Sequence, residues 1–126
     1  MFDLGPAAHE MSRLVRAVQD EVLPYDLNYL RHGDRLAPAL ARLHDLWDRV
    51  GTELGDADPW RAREAAAMTA VGRWMYTAAL AREETRGMHK REDRPVVDPA
   101  WYRRLAVGGL DAVWVRPAAT PTEVAA

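Results

Sequence analysis

The chain has 126 residues, a length that argues for one domain around one core. Lys and Arg total 17 against 19 Asp and Glu, so the net charge is -2 and a nucleic-acid partner is not expected. Cysteine is absent, which excludes disulfides, thiolate metal sites and a cysteine nucleophile, and it fits a reducing compartment. No run approaches the roughly 18 apolar residues of a membrane span, and the first residues lack a signal-peptide pattern. We therefore expect a cytoplasmic protein without membrane insertion.

Three apolar patterns with helical spacing predict three helices. The first covers about residues 6–23 and ends before Pro24, whose ring would clash with the preceding turn. The second covers about residues 35–54, with Asp34 as its N-cap. The third covers about residues 59–85, and its middle is rich in alanine, with Gly72 allowing close packing. Short connections indicate antiparallel neighbours, so we predict an all-α fold, an antiparallel three-helix bundle.

The chain after the third pattern changes in character. Residues 86–99 form a charged loop, and residues 101–116 contain two short apolar runs around Gly108-Gly109, which is typical of a tight β-hairpin. A two-stranded hairpin is marginally stable alone, so we expect this appendage to pack against the helices or against another domain. Residues 117–126 are rich in Ala, Thr and Pro and are predicted to be a flexible tail after a single domain over 1–116.

The charged loop carries a specific motif. Residues 85–95 read Thr-Arg-Gly-Met-His-Lys-Arg-Glu-Asp-Arg-Pro. This resembles the Ser/Thr-Arg-Gly-x-His-x-Arg-x-Asp-x-Pro signature of succinate dehydrogenase and fumarate reductase flavoproteins, with L-aspartate oxidase and the adenylylsulfate reductase flavoprotein as more distant relatives. Asp98 and Trp101 resemble the Asp-x-x-Trp that follows it in that family. Gln19 and Arg31 match weaker family positions, so the resemblance spans roughly residues 10–116.

The resemblance implies the C-terminal helical domain of an FAD-dependent oxidoreductase, with a bundle similar to a spectrin repeat. The Gly-x-Gly-x-x-Gly turn that cradles the FAD pyrophosphate is not in this sequence. We therefore expect that this chain alone binds no cofactor and has no catalytic residue, FAD being implied for the full-length parent. The implied partners are the FAD-binding and capping domains of that parent, together with an electron-transfer subunit.

Three roles are open for the charged motif. It could form a latch across a domain interface, contribute near the flavin, or be a solvated charge run. We predict the latch, formed by Arg86, Gly87, His89, Arg91, Asp93 and Pro95. We further predict an interface at Arg31, Trp101, Tyr102 and Trp114. Exposed aromatic side chains would also favour self-association of the isolated domain.

Two alternatives to a flavoprotein domain remain. A free-standing helical interaction module would have the same fold, but it should pair the Arg86 to Asp93 charges internally and cover the aromatic hairpin. An independent enzyme is disfavoured, because the sequence has no phosphate loop and its four histidines form no metal-binding pair.

Overall fold

The computed structural model describes residues 5–53 and 58–118, and within them the chain is mostly helical with small strands towards its C-terminal end. The long helices are α1 (Gly5–Val22), α2 (Gly33–Glu53) and α3 (Pro59–Ala81). A π-helical turn (Tyr25–Tyr29) precedes α2, and a 3-10 helix (Pro99–Trp101) follows α3. The strands are β1 (Leu30–Arg31), β2 (Lys90–Arg91), β3 (Leu105–Gly108) and β4 (Trp114–Pro117). No helix in these two stretches is long and apolar enough to cross a membrane.

The three long helices share one apolar core, as their periodicity predicts. Its buried members are Met11, Leu14, Val18, Leu36, Ala39, Leu43, Leu46, Ala65, Tyr76 and Ala79. Tyr76 is fully buried and its hydroxyl donates to the main-chain carbonyl of Glu21, which ties α3 to the last turn of α1. A Cβ at Gly72 would lie 3.4–3.5 Å from Val22 and Leu43, so this glycine lies where all three helices are in contact.

The helix ends differ from the sequence-based prediction. The prediction of Asp34 as N-cap was wrong, because α2 already begins at Gly33 and the Asp34 N–H donates to Nδ1 of His32 at 3.0 Å. Helix α3 ends at Ala81 rather than near residue 85, since Arg82 takes an extended conformation. Its periodicity could not reveal this early end, which depends on side chains that come after it in the chain. Residue 54, the predicted end of α2, lies outside the described residues.

The hairpin is wider than predicted. Strands β3 and β4 are antiparallel, with Leu105 opposite Pro117 and Gly108 opposite Trp114, and residues 109–113 connect them. Gly108 therefore belongs to a strand instead of a tight turn. Gly109 has a φ of +93°, and a Cβ there would lie 2.0 Å from the Ala112 carbonyl oxygen, so only glycine fits. Pro117, predicted to start the tail, is the last residue of β4, and residues 119–126 lie outside the described part.

The hairpin packs against the helices, which was one of its two predicted supports. The indole Nε1 of Trp74 donates to the Gly109 carbonyl at 2.8 Å. The buried guanidinium of Arg73 donates to the Leu110 carbonyl and, at 2.9 Å, to Nδ1 of His44. It also lies 5.0 Å from the ring centroid of Trp47. Side chains of α2 and α3 thus hold the residues that connect the two strands of the hairpin.

Candidate functional site

The charged motif pairs with the segment before α2. Strand β1 runs parallel to β2, with Leu30 opposite Lys90 and Arg31 opposite Arg91. The Glu92 N–H continues this pairing by donating to the Arg31 carbonyl at 2.6 Å. Two segments that are distant in sequence therefore meet beside the start of α2, and Arg31 comes next to the motif.

Arg91 and Asp93 form a two-residue ion pair, here called the clasp, between two helix ends. The Asp93 carboxylate accepts from Arg91 Nε at 2.9 Å and from Nη2 at 2.6 Å, a fork geometry in which both contacts are charge-assisted. Arg91 Nη1 donates to the Leu80 carbonyl at 2.9 Å and to the Ala79 carbonyl at 3.2 Å, at the end of α3. The same Asp93 carboxylate accepts from the Gly33 N–H at 3.0 Å, at the start of α2. Each charge has the sign that its helix end favours.

The electrostatics of the clasp follow from this geometry. The Arg91 guanidinium holds the pKa of the Asp93 carboxyl well below its usual range, and the carboxylate raises the pKa of Arg91. Only 5% of the Arg91 side chain is exposed. A Cβ at Gly33 would lie 2.7 Å from Asp93 Oδ2 and 2.9 Å from Arg91 Nη2. Glycine at the start of α2 is therefore what allows the ion pair to reach the helix backbone.

His89 joins Arg31 to the end of α3. Its Nε2 lies 3.0 Å from the Arg82 carbonyl oxygen, which can only accept, so Nε2 carries the proton. Its Nδ1 then accepts from Arg31 Nη1 at 2.8 Å, and Arg31 also donates to the Asn28 carbonyl and side-chain oxygen. Burial, and then the neighbouring guanidiniums, lower the pKa of His89. The geometry thus requires a neutral imidazole in one tautomer.

The turn at Gly87 reverses the chain inside the motif. Arg86 and His89 exchange two main-chain hydrogen bonds, of 2.8 and 3.0 Å, across a two-residue connection. Gly87 has a φ of +57°, whereas Met88 has a negative φ, which is the pattern of a type II′ turn. Gly87 therefore serves the backbone, and it allows His89 to face Arg31.

Glu84, which was not among the predicted site residues, is the most buried charged group of this region. Its side chain is fully buried and accepts from Arg82 at 2.7 Å and Arg86 at 2.9 Å. It also accepts from the Asp98 N–H at 3.0 Å. The hydrogen bond from Arg86 is the first cause that lowers the pKa of Glu84 to about 2. The available signal was spacing: Glu84 and Arg86, like Arg91 and Asp93, lie two residues apart, and such residues share a side of an extended chain.

The remaining predicted residues do not all meet in one place. Pro95 is exposed, between two residues whose main-chain carbonyls both accept hydrogen bonds from Thr85. Trp101 is half-buried and Tyr102 is 83% exposed, next to the arginines that hold Glu84. Trp114 lies apart from them in the hairpin, beside Arg116. Whether any of these residues contacts another domain stays a prediction, since every contact described above is internal to the chain.

The glycine pair of the hairpin does not fit a dinucleotide. A Cβ at Gly108 would lie 2.6 Å from the ring of Trp114, and one at Gly109 would meet the Ala112 carbonyl. These close approaches involve the hairpin itself, so the backbone there is not open towards a pyrophosphate. Gly108 and Gly109 are therefore explained by the hairpin geometry.

Proteins similar to this chain belong to the family that the charged motif resembles. A family model described as the fumarate reductase flavoprotein C-terminal region matches residues 16–116. L-Aspartate oxidase from Mycobacterium tuberculosis is 39% identical over 74 residues, which cover 58% of this chain and 14% of that protein. L-Aspartate oxidase from Streptomyces coelicolor is 38% identical over 90 residues, 65% of this chain and 15% of that protein.

A third relative is named for a different activity. A fumarate reductase (CoM/CoB) subunit from Methanothermobacter marburgensis is 31% identical over 97 residues, which cover 72% of this chain and 18% of that protein. In each of these three relatives, the match covers less than a fifth of the protein's length. The chain belongs to the succinate dehydrogenase and fumarate reductase flavoprotein family, and it corresponds to the C-terminal domain of those flavoproteins.

Proposed function

We propose that this domain braces the FAD-binding and capping domains of an FAD-dependent oxidoreductase and catalyses no reaction itself. The observation that carries the proposal is the clasp. Arg91 and Asp93 are bonded to helix ends and to each other, so these signature side chains hold the domain in shape instead of facing a substrate. A brace needs this property, because it must present a fixed surface to the parts that it supports.

The clasp also supports an antiparallel arrangement of the helices, similar to a spectrin repeat. It joins the end of α3 to the start of α2, which is the juxtaposition that antiparallel neighbours produce. The clasp thus holds the helices together at one end, and the apolar core holds them together along their length.

An apolar groove between α1 and α3 is the face that we assign to the rest of the flavoprotein. Its volume is about 330 Å³, and it is lined by Val18, Val22, Ala67, Met68, Val71, Gly72 and Met75. Val71, in the middle of α3, is 47% exposed. The relatives have most of their length outside the matched segment, which provides an occupant for an uncovered apolar face.

Sequencing the DNA upstream of the Met1 codon is the first test. We expect an open frame, or a linked gene, that encodes a strand–helix unit with a Gly-x-Gly-x-x-Gly turn. That flavin-containing part is then co-expressed with the wild-type chain, and retained flavin is measured after purification of the complex. The absence of both an upstream open frame and a linked flavoprotein gene would contradict the bracing role.

Two matched valine substitutions test the groove. Val71→Lys places a charge in the apolar groove, so we expect it to reduce co-purification and retained flavin. Val96→Lys is the control, because Val96 is 72% exposed and lies outside the groove. Equal flavin retention by both variants would show that the groove is not the docking face.

A free-standing helical interaction module is the second candidate. The internal pairing of Arg86 with Glu84 favours it, because such a module should pair its motif charges, and the clasp fits this candidate as well as the brace. The exposure of Tyr102 and Trp114 argues in the other direction, because a module complete by itself should cover its aromatic side chains. Failure to find an upstream or linked flavin-domain gene would favour the module.

A further inference from the structure

A pocket of arginines and aromatic rings lies beside the clasp but takes no part in it. Its volume is about 420 Å³, within the range of small-molecule sites. We call it the arginine pocket, and it is lined by Arg82, Arg86, Trp101, Tyr102, Arg103 and Arg104. It is separate from the apolar groove, and the bracing role does not explain it.

The pocket is held in place before any ligand arrives. Buried Glu84 fixes the guanidiniums of Arg82 and Arg86 by direct ion pairs. Arg82 also donates to the main-chain carbonyls of Trp101 and Arg103, at 2.8 and 2.6 Å. The guanidiniums of Arg82 and Arg103 lie 5.9 and 5.8 Å from the centroid of the Trp101 ring. These internal bonds fix the main chain and the rings that line the pocket, which lowers the ordering cost of binding.

The pocket retains positive charge. Four guanidiniums line the pocket, and two carboxylates lie close by. Glu84 pairs with Arg82 and Arg86, and Asp98 caps the 3-10 helix by accepting from the Ala100 N–H. Among the described residues, no carboxylate forms an ion pair with Arg103 or Arg104. About two positive charges are therefore left, which matches a phosphate monoester with its 1.5 to 2 negative charges at pH 7.

The aromatic wall indicates more than a bare anion. The pocket is open to solvent, so it can hold one part of a ligand that is larger than an inorganic phosphate ion. Tyr102 is 83% exposed, with the Arg86 guanidinium 5.5 Å from its ring centroid, so ring surface is available for stacking. Guanidiniums recognise phosphate oxygens through their fork of donors, and aromatic faces take up planar rings.

We propose that the arginine pocket binds a phosphorylated small molecule that carries a planar ring, the chemistry of a nucleotide. This goes beyond the bracing role and does not depend on it. It also changes the expectation for Trp101 and Tyr102: Trp101 positions guanidiniums, and Tyr102 stacks on a ligand instead of on a protein.

Calorimetric titration of the full chain at low salt tests the proposal with three probes. Adenosine monophosphate should bind saturably and more tightly than inorganic phosphate, while adenosine should not bind measurably. Arg103→Gln with Arg104→Gln should weaken nucleotide binding at least about tenfold, since each contact to a charged group typically contributes a factor of ten or more. These two side chains make no described ion pair, so the fold should be retained.

The control changes the same charge elsewhere. Arg61→Gln with Arg63→Gln alters two exposed arginines of α3 outside the arginine pocket, and it should leave nucleotide affinity unchanged. Tyr102→Leu should weaken the nucleotide but not inorganic phosphate. Equal loss in both arginine pairs would reveal non-specific attraction and overturn the proposal. No binding of adenosine monophosphate would overturn it too, and would favour an acidic protein surface as the occupant.

Discussion

Arg91 serves two helix ends with one guanidinium, and its removal would leave Asp93 partly buried without its counter-charge. We predict that Arg91→Ala lowers the free energy of unfolding by about 3 kcal/mol, the typical cost of breaking a buried pair from one side. Denaturant titration followed by circular dichroism measures this change.

The matched control for this prediction is in the same loop. Arg94 approaches Glu83 at 3.8 Å, and both side chains are 53% exposed. Arg94→Ala should change the free energy of unfolding by less than about 1 kcal/mol, as for other surface pairs. If both variants lost a similar free energy of unfolding, the clasp would contribute no more to stability than a surface ion pair.

Gly33 provides a second test of the clasp from the backbone side. Gly33→Ala would place a methyl group against Asp93 and Arg91, so we predict a loss of stability. Gly51, in the same helix, has no atom within 4 Å of its Cβ position, and Gly51→Ala should stabilise the protein by up to about 1 kcal/mol. Thermal unfolding of the two variants should shift in opposite directions, and a Gly33→Ala protein as stable as wild type would refute the close contact.

His89 makes stability depend on pH. Its pKa is lowered in the folded chain, so below pH 6.5 the unfolded state binds more protons than the folded state. The stabilisation is therefore fully present well above the ordinary pKa of about 6.5 and is lost as the pH falls below it. We predict that wild type loses stability below this pH faster than His89→Gln does. His44 is unchanged in both proteins, so its titration cancels, and parallel curves would contradict a neutral His89.

At the scale of elements, apolar periodicity was enough to locate the three helices but not their ends. The buried positions Leu14, Val18 and Leu43 lie on the predicted stripes. The ends depend on non-local partners: Asp93 binds the first N–H of α2 from 60 positions away. Nor does any local pattern indicate the two-residue strands β1 and β2, which form only because distant segments meet.

The hairpin is an element whose stability comes from α3. We predict that Arg73→Met, which keeps the length of the side chain but removes its donors, releases Leu110 and Asp111 from the helix. Amide hydrogen exchange in β3 and β4 should then accelerate, while the helix core stays protected. Arg63→Met, on an exposed part of α3, is the control. Unchanged exchange in Arg73→Met would mean that apolar packing and Trp74 are sufficient.

For the whole molecule, the charged residues that the motif singles out have partners within the described chain. Arg86, Arg91 and Asp93 were predicted to reach across a domain interface, and within the described chain they pair with Glu84, with helix ends and with one another. The motif alone could not separate these possibilities, because the same residue types form ion pairs within one domain and between two domains.

Acid should unfold the molecule through its paired carboxylates. Glu84 and Asp93 have lowered pKa values, so their stabilisation is present above about pH 4.5 and is lost as the pH falls towards 2. We predict that Glu84→Gln is less stable than wild type at pH 7, but that its stability falls less between pH 4.5 and 2. Glu83→Gln, with a side chain that is 53% exposed, should behave like wild type. A Glu84→Gln curve parallel to wild type would contradict the assignment.

The parallel pairing of β1 with β2 has a consequence for the order of folding. Leu30 and Lys90 meet only after the helices between them have collapsed, because closing so long a loop costs chain entropy before any contact repays it. The helices should therefore form first, and the charged loop should take its final conformation last. During synthesis, α1 and α2 emerge well before residues 86–95, so the start of α2 lacks its carboxylate partner until the ribosome has passed Asp93. The motif would then be the last part of the domain to become fixed, after the helices have packed.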